Sequence, residues 1–186
     1  MEHLTEYMRQ LQEAMAAVDL AAVRRLRDAC ADVRQRGGQI FICGNGGSAA
    51  TASHFANDLG KGASYGRQVR FKAIALTDCV PWLTALANDV GYADVFAEQL
   101  TNFAREGDLL VAISGSGNSP NVLRAVETAR RLGVRTAGLS GFGGGKLATA
   151  VELPVVVDSH HMGRVEDVHL AIVHLVCYYF MEKEER

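Results

Sequence analysis

Long apolar runs, paired cysteines and clustered positive charge are all missing from this 186-residue chain. No stretch approaches the ~18 apolar residues that a membrane-spanning helix requires. The formal net charge is −2, without a basic run or tail, which disfavours non-specific binding to nucleic-acid phosphates. Cys30, Cys43, Cys79 and Cys177 show no C-x-x-C spacing. They read as reduced core thiols of a cytoplasmic protein, not as a disulfide framework or a zinc knuckle. The opening Met1-Glu-His-Leu-Thr-Glu has neither a basic region nor an apolar stretch after it, so no signal peptide is expected. Internal repeats, low-complexity tracts and long linkers are lacking as well. The composition that remains, 48% hydrophobic and 22% charged, suits one globular domain over residues 1–186 with a substantial core.

Five short apolar runs are strand candidates: Gln39–Cys43, Phe71–Leu76, Leu109–Ser114, Val134–Leu139 and Leu153–Val157. Runs apolar at nearly every position suit strands buried on both faces of a parallel sheet. Helical patterns lie between them at Ala49–Leu59, Pro81–Ala87, Tyr92–Arg105, Ser119–Leu132 and Gly145–Ala150. Such alternation predicts right-handed βαβ units in a three-layer α/β/α sandwich. Two further helices are expected before the first strand, Glu2–Val18 and Leu20–Arg36, with Asp19 capping the second and Gly37-Gly38 stopping it. A last helix is expected over Gly163–Lys183, with an apolar stripe of Val165, Val168, Ile172, Leu175, Val176 and Tyr179. The terminal helices exceed what one small sheet needs as cover. Their apolar faces, residues 1–36 included, are expected to pack between copies in an oligomer.

Two loops carry the chemistry. The first is Gly44-Asn-Gly-Gly-Ser48, between a strand and a helix. Gly44, Gly46 and Gly47 permit positive φ and close backbone approach, and Ser48 is placed to cap the helix, whose N-terminus attracts anions. His54 and Asp58 follow at i and i+4, on one helix face. The second loop is Ser114-Gly-Ser-Gly-Asn-Ser119, again strand to helix, with Pro120 in the first helical turn. Neither loop has the lysine of a Walker A motif, and no G-x-G-x-x-G follows the first strand. Hydroxyls, backbone N–H groups and a helix dipole would therefore grip the phosphate, which suits a sugar phosphate. Two such loops after strands fit the carboxyl edge where open α/β sheets bind ligands.

The last helix holds Glu166-Asp-Val-His-Leu-Ala-Ile-Val-His174. Glu166 and His174 are offset by ~80° on a 3.6-residue helix, and Asp167 aligns better with His174 by spacing alone. Either acid can serve with His174. His169, at another angle, is expected at the surface or an interface, and His160-His161 are candidate loop ligands. Asn88-Asp89 form a further polar pair after the second strand. His54, Asp58, a second histidine and an acid are adequate for a four-ligand site of Zn type, or for direct general acid–base work.

Gly44-Asn-Gly-Gly-Ser48, His54-Phe-Ala, Ala87-Asn-Asp89, Ser114-x-Ser-Gly-Asn-Ser119 and Glu166-Asp-Val-His-x(4)-His174 together resemble the phosphoheptose isomerase family of sugar isomerase (SIS) domains. The motifs span nearly the whole chain, in order. The resemblance implies a flavodoxin-like five-stranded parallel sheet, a homotetramer with sites at subunit interfaces, and isomerisation of sedoheptulose 7-phosphate. It implies phosphate binding by Ser114, Ser116 and Ser119, with Gly115 in the same loop. It implies a sugar site lined by Asn45, Gly46, Gly47, Ser48, Asn88, Asp89 and Glu166. Zn²⁺, one per subunit, would be held by His54, Asp58, Glu166 and His174, and Asp58 and His174 fall on the catalytic acid/base positions. Three residues depart from the family pattern. Asp58 stands where Glu is usual, Glu166 where Gln is frequent, and Gly115 where Thr is frequent. Loss of a methylene at position 58 shortens reach by roughly an ångström, a misplacement that can cost ~10²-fold in rate. Other roles compatible with the family are a non-catalytic scaffold similar to the replication-initiator-associating protein, a sensor of a sugar phosphate, and an isomerase of a different phosphosugar.

Overall fold

Strand residues alternate between two apolar layers, and that alternation organises the molecule. In the computed structural model, which describes residues 1–183, β1 (Gln39–Cys43) sends Ile40 and Ile42 to one layer and Phe41 and Cys43 to the other. In β3 (Leu109–Ser114), Leu109, Val111 and Ile113 join the first layer, and Leu110 and Ala112 the second. Period two on a sheet covered on both faces is what near-continuous apolar runs produce. The first layer is closed by α1 (Glu2–Ala16), α2 (Leu20–Gln35), α3 (Gly47–Asn57) and α8 (Met162–Glu182). On the second face lie α4 (Val80–Asp89), α5 (Ala97–Phe103), α6 (Pro120–Arg131) and α7 (Gly145–Ala150). Phe41, Phe55, Phe96 and Phe180 are among the largest fully buried side chains, each stabilising by ~1.5–3 kcal/mol.

The sheet is five-stranded, in the order β2-β1-β3-β4-β5, where β2 is Lys72–Ala75, β4 Arg135–Ser140 and β5 Leu153–Val156. All four pairings are parallel, so the expected α/β sandwich is present. The order reverses between β1 and β3. The carboxyl ends of those two strands therefore flank the crevice in which such sheets bind ligands. Both loops singled out in the sequence begin there.

Several elements differ from expectation. β2 is shorter than Phe71–Leu76 and is an edge strand, so Ile74 stays 42% exposed instead of buried on both faces. Tyr92–Arg105 is not one helix: a 3₁₀ turn at Tyr92–Asp94 precedes α5. The first-loop helix starts earlier, at Gly47, and ends at Asn57, after which Asp58–Gly62 form a π-helical turn. Ser48 does not cap it; Gly46 is the N-cap, at φ +56°, and Ser48 is buried inside the first turn. Asp19 does cap α2, accepting from Ala21 N and Ala22 N. On α8, Val165, Val168, Ile172 and Val176 are buried as expected, but Leu175 and Tyr179 face out. All four cysteines are free. Burial pushes the Cys30 and Cys43 thiols up to about 12, and Cys79, at the N-cap of α4, is exposed instead of in the core.

Candidate active site

The π-helical turn that replaces the end of α3 carries Asp58 toward α8. There Asp58 Oδ2 lies 3.2 Å from His54 Nε2, and His54 Nε2 lies 2.9 Å from His174 Nε2. The two imidazole rings meet nearly edge to face, with centroids 5.0 Å apart. Neither His54 nor Asp58 nor His174 is fully buried. Asp58 also contributes, with burial, to holding the Cys177 thiol well above its usual pKa, so Cys177 stays neutral beneath the cluster.

One ligand atom from each of His54, Asp58 and His174 lies within 4.8 Å of the others. A tetrahedral Zn²⁺ with ligand bonds of about 2.0–2.1 Å separates its ligand atoms by roughly 3.3 Å. Two imidazole nitrogens and one carboxylate at the observed spacing fit such an ion. Glu166 does not join them. Its carboxylate sits against the first residue of α3, where a Cβ on Gly47 would stand 2.4 Å from Glu166 Oε1. A negative charge there complements the positive end of the helix dipole, and the absent side chain of Gly47 leaves the room it occupies. Asp167 is turned elsewhere and accepts a hydrogen bond from the Tyr7 hydroxyl at 2.7 Å.

The serine loop is fixed by its own polar groups. Ser114 and Ser119 hydroxyls are 3.0 Å apart across the turn. Ser116 Oγ accepts from Asn118 N, and Asn118 Nδ2 donates to the Ser116 carbonyl. Gly117, at φ +67°, comes so close to the β4–α7 connection that a Cβ would stand 2.1 Å from the Gly144 carbonyl oxygen. Leu147 N donates to the Gly117 carbonyl and completes the latch. Gly115 has its missing side chain replaced in space by Met162, whose Sδ would lie 2.4 Å from a Cβ. A side chain at position 115 would require the end of Met162 to shift.

Asn45 bridges the two loops. Its side-chain amide pairs with that of Asn121 through two hydrogen bonds of 2.8 Å, and the Tyr92 hydroxyl donates to Asn45 Oδ1 at 2.9 Å. Sequence analysis does not single out Asn121 or Tyr92; for the first, a polar residue directly after Pro120 on the buried face of α6 is a signal that could have found it. Asn88 and Asp89 lie exposed at the end of α4, hydrogen-bonded to each other at 2.8 Å. Gly46 and Gly47 are exposed at the start of α3.

The remaining histidines correct the reading of α8. His169 is not at a surface: it is 1% exposed, and its ring nitrogens find no partner of hydrogen-bond geometry among the described residues. Burial pushes its pKa down to about 4, while a weaker backbone contact with Ser140 acts in the opposite direction. His161 caps α8, with Nδ1 accepting from Arg164 N at 3.4 Å, and His160 stacks edgewise on Phe142.

A groove of about 670 Å³ opens beside His174, lined by Met15, Leu20, Leu175, Tyr178 and other residues of α1, α2 and α8. Among the described residues no helix is long and apolar enough to cross a membrane.

The chain as a whole is similar to known proteins. The SIS domain family matches residues 3–141. A phosphoheptose isomerase of Akkermansia muciniphila is 43% identical over 164 residues, covering 88% of this chain and 85% of that protein. A probable phosphoheptose isomerase of Thermoplasma volcanium is 37% identical, covering 94% and 88%. The solved phosphoheptose isomerase from Francisella tularensis superposes with a TM-score of 0.90 at 30% identity, covering 98% of each chain. That from Neisseria gonorrhoeae gives 0.85 at 34% identity, covering 96% and 95%. By the family match over residues 3–141 and by these relatives, the chain belongs to the phosphoheptose isomerase family of SIS-domain proteins.

Proposed function

We propose that this enzyme converts D-sedoheptulose 7-phosphate to D-glycero-D-manno-heptose 7-phosphate. The observation that carries the reading is the convergence of His54, Asp58 and His174 within 4.8 Å, in a chain that also ends β3 in a serine loop. Ketose-to-aldose conversion removes a proton from C1 and returns one to C2 through an enediol(ate). The step needs an acid/base pair next to the reacting carbons, and Asp58 and His174 are in that role. Ser114, Ser116 and Ser119 hold the phosphate, Gly115 keeps their loop open, and the dipole of α6 adds attraction. Asn45, Gly46, Gly47, Ser48, Asn88, Asp89 and Glu166 line the sugar site. His54, Asp58 and His174 would hold Zn²⁺, with Glu166 as the fourth ligand after a side-chain rotation away from Gly47. A bound Zn²⁺ would supply Lewis acidity toward the substrate oxygens. A scaffold has no need for an acid and two histidines in contact, so catalysis is favoured over that role.

We also read residues 1–186 as one SIS domain that works as a homotetramer in the cytoplasm, with residues 1–36 in oligomer packing. The exposed Leu4, Met8 and Met15 of α1, Leu20 of α2 and Leu175, Tyr178 and Tyr179 of α8 support this, since such a face is buried between subunits. It would set the sites at subunit interfaces, next to His174. The free cysteines accord with a reducing compartment.

A coupled assay with sedoheptulose 7-phosphate tests the reaction. Turnover that is raised by added Zn²⁺ is expected. Binding of the phosphosugar without turnover, with Zn²⁺ present, would leave a sensor or scaffold instead.

A further inference from the structure

The hydrogen bonds around Asn45 fix which way its amide faces. An Asn side chain offers two donors on nitrogen and two acceptor sites on oxygen, and its orientation follows from its partners. Here the chain of assignments starts at a backbone group that cannot be reversed. Val122 N donates to Asn121 Oδ1 at 3.0 Å, so the atom of Asn121 at that place is oxygen. Asn121 Nδ2 must then be the donor to Asn45 Oδ1, and Asn45 Nδ2 the donor to Asn121 Oδ1, both at 2.8 Å. The Tyr92 hydroxyl adds a second donor to Asn45 Oδ1 at 2.9 Å. Both acceptor sites of Asn45 are thereby filled. One hydrogen of its Nδ2 is used as well. The other points away from Asn121 and has no partner among the described residues. It stands at the carboxyl end of β1, between the two loops that frame the crevice.

We propose that Asn121 and Tyr92 are positioning residues that lock Asn45 as a pure hydrogen-bond donor toward an oxygen of the phosphosugar. The inference rests on the phosphosugar reading above and deepens it. Asn121 is 2% exposed and comes from α6, Tyr92 from the turn after α4. Two separate chain segments thus converge on the Asn45 side chain. A donor with no acceptor alternative favours a substrate oxygen that has only lone pairs to offer, a carbonyl or a developing oxyanion, over one that must donate.

The experiment is a double-mutant cycle read by calorimetric binding of sedoheptulose 7-phosphate and by kcat/KM. Tyr92→Phe removes one bond to Asn45 Oδ1 and should weaken binding ~3-fold. Asn121→Asp keeps the acceptor for Val122 N but sets a carboxylate oxygen against Asn45 Oδ1, and should weaken it ~10-fold, the scale of one to two hydrogen bonds. Once Asn45→Ala is present, neither change should have any further effect, because both act through Asn45. Tyr92 is exposed, so Tyr92→Phe reads the cycle even if Asn121→Asp folds poorly. Undiminished losses in the Asn45→Ala background overturn the inference. Absent turnover in the wild type, with the cycle still non-additive in binding, would contradict the isomerase reading and leave this one standing.

Discussion

His54 Nε2 and His174 Nε2 stand 2.9 Å apart although 120 residues separate them in the chain. At that distance one nitrogen donates and the other accepts, or both turn their lone pairs to one cation. Asp58 Oδ2, 3.2 Å from the same His54 nitrogen, supplies the negative charge that favours the cation. Protein purified without chelator should accordingly carry zinc at about one ion per subunit, the number one such three-ligand cluster can hold. His54→Ala should lower it to a small fraction of that by elemental analysis. Equal zinc in both proteins would place the metal elsewhere.

Asp58 reaches His54 directly, so no gap is left for a longer side chain to fill. The π-helical turn that begins at Asp58 brings the backbone to where the shorter acid suffices. Asp58→Glu, although it restores the residue usual in the family, should therefore lower kcat/KM by up to about 10²-fold, the scale of an ångström-sized misplacement. A gain in kcat/KM would show that the native acid falls short of its target.

Gly117 is held at φ +67°, where a Cβ would stand 2.1 Å from the Gly144 carbonyl oxygen. Gly117→Ala adds both backbone strain and a collision with main chain, worth about 1–3 kcal/mol. For a chain of this size that lowers Tm by roughly 2–4 °C per kcal/mol. KM should rise more than Tm falls would suggest, since the serine loop is what moves. A variant with unchanged KM would detach that loop from phosphate binding.

His169 gives the fold a pH dependence of definite sign. Its pKa falls from 6.5 to about 4 on burial, so the unfolded chain binds a proton there that the folded chain does not. The stability is complete above about pH 6.5 and is lost progressively as pH falls toward 4, by up to ~3 kcal/mol. Urea unfolding at pH 7 and pH 5 should show the loss, and His169→Phe should reduce the difference between the two. An equal difference in both proteins would assign the acid sensitivity to other groups.

The interior of this fold was legible and its exceptions were not. β1, β3 and β4 are covered on both faces, and their unbroken apolar runs said so. β2 has the same kind of run but lies at the sheet edge, and edge position is a property of topology that Phe71–Leu76 does not carry. The π-helical turn at Asp58–Gly62 follows an ordinary helical pattern in sequence, so nothing local announces it. The pairing of His54 with His174 is tertiary; spacing alone aligned Asp167 better than Glu166 with His174 but left either acid able to serve, and the folded chain turns Glu166 to Gly47 and Asp167 to Tyr7. His169 was legible and misread: Val165, Ile172, Val173 and Val176, its neighbours at helical spacing, are all buried. The amide pair of Asn45 and Asn121 joins the loop after β1 to α6, which only the β1–β3 switch point brings together.

Turnover of sedoheptulose 7-phosphate by wild type and His174→Ala, each checked for native circular dichroism and Tm, tests the central claim most directly. The account predicts isomerase activity in the wild type and a loss of at least ~10²-fold in His174→Ala with the fold retained, the scale of a missing general acid–base group. Activity unchanged by His174→Ala in a folded protein would contradict it.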